Sequence, residues 1–156
     1  MKILLFCMLL LCGCTAKILP LPPQNAQPVQ AQFGLRFASA GMAIPLQGAV
    51  QMAENGGNLG FIFPHGRTLG VCHYRDGGME CVPAGYDVMQ TRFMLRQIGL
   101  AVYRILPTLT QESAEDTLDK DWIVSWHETN TGWRAEYLDL ASQVTMDIHF
   151  TEISLQ

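Results

Sequence analysis

The chain is expected to fold as an α+β domain, an antiparallel sheet with a helical insert, on three observations. Apolar and polar residues alternate in runs on both flanks of the chain, the period of strands with one buried face. Between them, at about residues 86–106, the apolar spacing changes to three- and four-residue steps, the period of an amphipathic helix. Two cysteines stand at matched distances either side of an Asp-Gly dipeptide, the mark of a tight hairpin.

Phe33, Leu35 and Phe37 alternate with Gly34 and Arg36, so a half-buried strand starts near Gln32. A second strand is expected at about 46–53. Asn55-Gly56-Gly57 turns the chain, residues 59–63 return as a third strand, and Pro64-His65-Gly66 is a loop. A hairpin follows. A type I′ turn needs positive φ at both centres, which Asp76-Gly77 supplies. That turn pairs Arg75 with Gly78, Tyr74 with Met79, His73 with Glu80 and Cys72 with Cys81. Counting outward, the cysteines form a non-hydrogen-bonded pair with Cα atoms about 4.5 Å apart, within disulfide range. A Cys72–Cys81 bridge is therefore expected. Two buried free thiols are the alternative, and a three-residue loop through Gly78 would break the register. There is no Cys-x-x-Cys for redox catalysis.

Asp87 is expected to cap a helix running to about Leu106. Val88, Met89, Phe93, Ile98, Ala101, Val102 and Ile105 form its apolar stripe, which Met94, Leu95 and Leu100 widen beyond what a surface helix needs. Gly99 either bends this helix or splits it, giving one or two central helices, and Pro107 ends it. Residues 108–121 are polar and acidic. They read as a solvated loop with at most one helical turn, and lack calcium-loop spacing. Strands then resume: Trp122, Val124 and Trp126 share a parity, Thr129-Asn130-Thr131-Gly132 turns, and Trp133, Ala135 and Tyr137 share the next. Val144, Met146, Ile148 and Phe150 alternate most clearly of all.

Lys2 precedes an apolar run of about ten residues, the layout of a secretory signal and too short for a spanning helix. The run ends in Leu11-Cys12-Gly13-Cys14, which resembles the lipobox of bacterial lipoproteins. The resemblance implies cleavage before Cys14 and diacylglycerol on its thiol, with palmitate-like acyl chains; an ordinary cleaved signal is the alternative. Thr15, where an Asp would favour inner-membrane retention, implies the periplasmic face of the outer membrane. Residues 1–13 thus read as signal and 14–32 as lipidated cysteine and tether. Pro20, Pro22, Pro23 and Pro28 would let that tether reach roughly 50 Å. Residues 33–156 read as one domain. With Lys2 removed, nine basic residues face fourteen acidic ones, so nucleic acid is not an expected partner.

His65, His73, His127 and His149 have no metal-ligand spacing, and no nucleophile elbow or phosphate-binding loop is present. No catalytic residue, metal or cofactor is expected, and the chain does not read as an enzyme. The layout of a lipid-anchored sheet, an apolar helical insert and further strands resembles LolA/LolB-like carriers, especially their small outer-membrane relatives of unknown function. Leu46-Gln47-Gly48-Ala49-Val50, Asn55-Gly56-Gly57 and Phe63-Pro64-His65-Gly66-Arg67-Thr68-Leu69 carry the local likeness. The resemblance implies a curved sheet, an incomplete barrel, with helices over its concave face and an apolar cavity for acyl chains.

A sheet with one apolar face opposite a broadly apolar helix can leave a cleft, in which each buried methylene contributes about 0.8 kcal/mol. Phe61, Phe63, Phe93, Trp122, Val124 and Trp126 are the expected lining; a filled core is the alternative. The expected function is a membrane-anchored periplasmic lipoprotein that binds or hands over lipid or lipoprotein acyl chains. The competing reading is a non-catalytic accessory lipoprotein docking a partner in an envelope assembly or secretion machine. A third is a hydrolase or transferase, which requires a clustered polar site with a perturbed ionisable residue.

Overall fold

The computed structural model describes residues 18–21, 28–53, 56–85, 88–109 and 114–155. Cys14, the expected signal, the Asp87 cap and Asn55 lie outside these residues. The described elements are β1 (Leu19–Pro20), β2 (Val29–Ser39), β3 (Met42–Ala53), β4 (Gly56–Ile62), β5 (Thr68–Arg75) and β6 (Gly78–Pro83), then α1 (Val88–Ile105) and a 3-10 turn (Leu106–Thr108), then β7 (Thr117–Leu118), β8 (Trp122–Thr129), β9 (Gly132–Asp139) and β10 (Val144–Leu155).

The strands form one antiparallel sheet that does not close, in the order β1-β6-β5-β4-β3-β2-β10-β9-β8-β7. It is two meanders, one either side of α1 in sequence, joined where β2 pairs with β10. There Phe33 faces Phe150, Leu35 faces Ile148 and Phe37 faces Met146. These residues, with Leu46, Val50, Leu59, Val124, Ala135 and Tyr137, are buried and define the inner face. The α+β class and the antiparallel order are as the sequence implies, and one α-helix is present among the described residues.

Three differences from the sequence reading have local causes. β3 begins at Met42 because Ala40 and Gly41 make a two-residue hairpin turn, both at positive φ (49° and 80°); alanine seldom takes that conformation, so no turn signal was legible. Pro45 is accommodated because β3 gains its β4 partner only from Gln47 onward, leaving an edge position for a residue with no N–H. Part of the expected tether belongs to the sheet. Leu19 pairs with Met79, Pro20 pairs with Gly78, and the Leu21 N–H donates to the Gly77 carbonyl at 2.6 Å. β2 likewise starts at Val29, ahead of the boundary drawn at residue 33.

The hairpin has the expected register. Asp76 and Gly77 take φ of 50° and 71°, and Arg75–Gly78, Tyr74–Met79, His73–Glu80 and Cys72–Cys81 are partners. A disulfide joins Cys72 to Cys81, their Cα atoms 4.0 Å apart. Closing so short a loop contributes about 3 kcal/mol by the chain-entropy relation. Urea unfolding with and without reductant should show this as a lower midpoint at nearly unchanged slope.

α1 packs mainly on β5 and β6, burying Leu95, Ile98, Ala101, Val102 and Ile105. It runs unbroken through Gly99, whose lack of a side chain serves close approach rather than bending. A Cβ there would stand 2.5 Å from Met79 Sδ and 3.2 Å from Cys72 Sγ. The Tyr74 hydroxyl donates to the Gly99 carbonyl at 2.6 Å. Cys72 Sγ lies 3.4 Å from the Leu95 carbonyl, a packing contact, since a disulfide sulfur has no proton to donate. Pro107 lies in the 3-10 turn, where the Thr108 hydroxyl donates to the Ile105 carbonyl at 2.8 Å. Of the acidic connection, Thr117–Leu118 pairs with β8 as the short edge strand β7.

Candidate functional site

The inner face is a band of aromatic rings across the seam between the meanders. Phe61 meets Phe33 edge-on at 6.2 Å between centroids. Phe33 meets Phe150 at 5.5 Å, Phe150 meets Trp126 at 5.8 Å, and Trp126 meets Trp133 edge-on at 6.5 Å. Each comes from a different strand, at the inward parity of β4, β2, β10, β8 and β9. Offset and edge-on contacts of this kind add to the area they bury. The indole N–H of Trp126 donates to the Thr108 hydroxyl at 2.9 Å, so its one polar atom is satisfied. The Trp126 backbone N–H donates to the Asp116 carboxylate at 2.6 Å.

Of the six expected lining residues, Phe61, Val124 and Trp126 are buried on this face, and the first and last are linked through Phe33 and Phe150. Phe63 is partly buried just after β4 and stacks on His65 at 5.3 Å. Trp122 is partly buried at the start of β8 and stacks on Tyr137 at 6.0 Å. Phe93 is not brought to the inner face: it lies on the open side of α1, 46% exposed.

Beside the band lies a polar cluster that the sequence reading passed over. Arg104, near the end of α1, donates from Nη1 to the Tyr137 hydroxyl at 2.6 Å and to Asp139 Oδ2 at 3.0 Å. The side chains of Arg104 and Asp139 are 18% and 8% exposed. The Ser142 N–H and hydroxyl both donate to Asp139 Oδ1 at 2.8 Å, and the same hydroxyl lies 3.4 Å from Gln97 Oε1. The Arg104 guanidinium stands 5.9 Å from the centre of the Trp122 ring, in cation–π range. A legible signal existed. Asp139 continues the inward parity of Trp133, Ala135 and Tyr137, and Arg104 sits three residues after Ala101 in the apolar stripe. Two opposite charges at core positions imply a partner for each.

Burial alone would raise the Asp139 carboxyl, but the two Ser142 bonds and Arg104 outweigh it and hold it below its ordinary value of 3.8. Burial pushes the Tyr137 hydroxyl up to about 12, against the opposing pull of Arg104. Burial, with Tyr103 stacked at 5.4 Å, also holds Tyr74 well above the ordinary tyrosine value. A folded-state value below the unfolded one gives stability that is present above about pH 4 and lost as pH falls through it. A raised tyrosine value gives stability that is complete below pH 10.0 and lost as pH rises. For Tyr137 that loss is about 2 kcal/mol by pH 12. Melting temperature should therefore be flat through neutrality and fall at both extremes, with a steeper alkaline limb in the wild type than in Tyr137→Phe.

The cluster does not assemble an acid–base site. Ser142 has carboxylate and amide partners but no imidazole. His73 bonds Asn58 at 2.7 Å, His149 bonds the hydroxyls of Thr129 and Thr131, and His127 lies 3.9 Å from Glu136. Among the described residues no group of three His, Cys, Asp or Glu is placed to hold a metal, and no helix is long and apolar enough to cross a membrane. The arrangement holds α1 against the second meander. No protein-family model matches the chain, and no curated protein matches it.

Proposed function

We propose that this chain is a lipoprotein anchored through Cys14 to the periplasmic face of the outer membrane, and that the inner face of its sheet holds acyl chains of lipids or lipoproteins. The observation that carries the reading is the aromatic band on a sheet with one helix over it. Ten strands laid flat would span about 43 Å at the usual strand spacing. An 18-residue helix is about 27 Å long and about 10 Å wide. One such helix serves the whole face only if the sheet curls around it, the form of an incomplete barrel. Its main packing is on β5 and β6; the rings of the band on β2, β4, β8, β9 and β10 are themselves buried or partly buried, so an acyl chain would enter by opening a cleft along them. Such a cleft needs no catalytic group, because acyl chains bind by area buried. The resemblance to LolA/LolB-like carriers implies such an architecture; one α-helix is present among the described residues.

The three tryptophans, Trp122, Trp126 and Trp133, all stand at inward parity and supply the test. A dibrominated fatty acid should quench their emission saturably, and unlabelled fatty acid should reverse it. No quenching at saturating probe would overturn the cleft. Incorporation of a clickable palmitate analogue, abolished in Cys14→Ser, tests the anchor separately.

A further inference from the structure

We infer that the N-terminal half of α1 is the face that lies on the bilayer, with Met89 and Phe93 entering the headgroup region of an anionic leaflet. The inference rests on the proposed lipidation of Cys14, and its first support is reach. The chain is fixed to the sheet at Leu19 by pairing with Met79. From Cys14 to Leu19 is five residues, at most roughly 17 Å of chain on any path, against the roughly 50 Å that a free tether would allow. The bilayer therefore lies close against the domain. β1 runs antiparallel to β6, so from Pro20 to Leu19 it points toward Pro83, the end of β6 from which the chain passes to α1.

The second support is what α1 presents there. Met89 is 85% exposed and Phe93 46% exposed, the largest apolar exposures on the helix. Four residues apart, they lie in one strip with Arg92 and Arg96. The N-terminal half of α1 carries Arg92 and Arg96 and no acidic residue, in a chain whose net charge is −4; Asp87, just before it, is the neighbouring carboxylate in sequence. Exposed apolar side chains among cationic ones fit an anionic lipid surface.

The acylated full-length protein, with Phe93→Cys or Leu118→Cys, tests this. Once Cys14 is acylated and Cys72 is bridged to Cys81, the new thiol alone takes an environment-sensitive dye. Leu118, 79% exposed on the opposite edge strand β7, is the control. In vesicles of phosphatidylcholine with a minority of phosphatidylglycerol, the Phe93→Cys label should shift to the blue and be quenched by spin-labelled lipid. The Leu118→Cys label should do neither, and pure phosphatidylcholine should weaken the Phe93→Cys response. Equal responses at both positions, or a Phe93→Cys label in water while the acylated protein stays on the vesicles, overturns the inference alone. A label in water on vesicles but shielded in whole envelopes assigns the face to a protein and also overturns it. A mass spectrum without acyl groups on Cys14 overturns the anchor, and this inference with it.

Discussion

Asp139→Ala is expected to destabilise the fold by about 3–5 kcal/mol, the range for removing one partner of a buried ion pair. The loss has three parts. The Arg104 guanidinium, 18% exposed, stays mostly buried without its counter-charge. The Ser142 N–H and hydroxyl lose their shared acceptor. The Tyr137 hydroxyl, which accepts from the same Arg104 nitrogen, loses a fixed neighbour. Arg104→Met with Asp139→Leu removes both charges and should recover most of the loss, because similar apolar volume replaces a pair whose desolvation offsets its attraction. Urea midpoints of the two singles and the double give the coupling directly. A double variant no more stable than Asp139→Ala would show that the pair does not act as a unit. The arrangement also locates the effect: α1 rests on the first meander by packing and the Tyr74–Gly99 hydrogen bond, whereas Arg104 ties it to β9. Hydrogen exchange in Asp139→Ala should therefore rise first in residues 104–109 and 139–144, ahead of β5 and β6.

Phe150→Ala should cost about 3–4 kcal/mol. Phe150 is fully buried, paired with Phe33 across β2 and with Trp133 across β9, and its ring touches both Phe33 and Trp126. With Phe33, which touches Phe61 and Phe150, it carries the band from one meander to the other. Phe150→Leu, close in volume, should stay within about 1.5 kcal/mol. The same pair of variants bears on the cleft. Removing the ring should shift the brominated fatty acid's midpoint and alter Trp126 emission, whereas Phe150→Leu should change both little. An acyl-probe midpoint unmoved in Phe150→Ala would mean that this ring packs a closed core.

The elements most legible in the sequence were those whose information is local. The Asp76-Gly77 turn specified its own φ values, and from it followed the register of β5 on β6 and the Cys72–Cys81 bridge. The parity of Val144, Met146, Ile148 and Phe150 assigned the buried face of β10 before any partner was known. The helix was legible because its apolar stripe is long and Pro107 closes it. The Ala40-Gly41 turn was not, because alanine at positive φ carries no signature, and β3 was accordingly read four residues short. Gly99 was misread for a related reason. A glycine within a helix suggests a bend, and only the sulfur atoms of Met79 and Cys72 show that the vacancy is needed for contact. Leu19–Pro20 read as spacer because a two-residue strand has no period.

By itself the chain determined which residues face inward on β2, β8, β9 and β10, where the central helix runs, and which two cysteines meet. All of these depend on neighbours within about a dozen positions. Only the tertiary structure decided that β2 pairs with β10, that the aromatic residues of five strands form one band, and that Phe93 faces outward while Arg104 reaches Asp139. The reason is physical. A periodic pattern states that a side chain must be covered, and every apolar partner satisfies that demand about equally. Which partner does so depends on how the two meanders meet, and that is fixed by the packing of the whole sheet against α1.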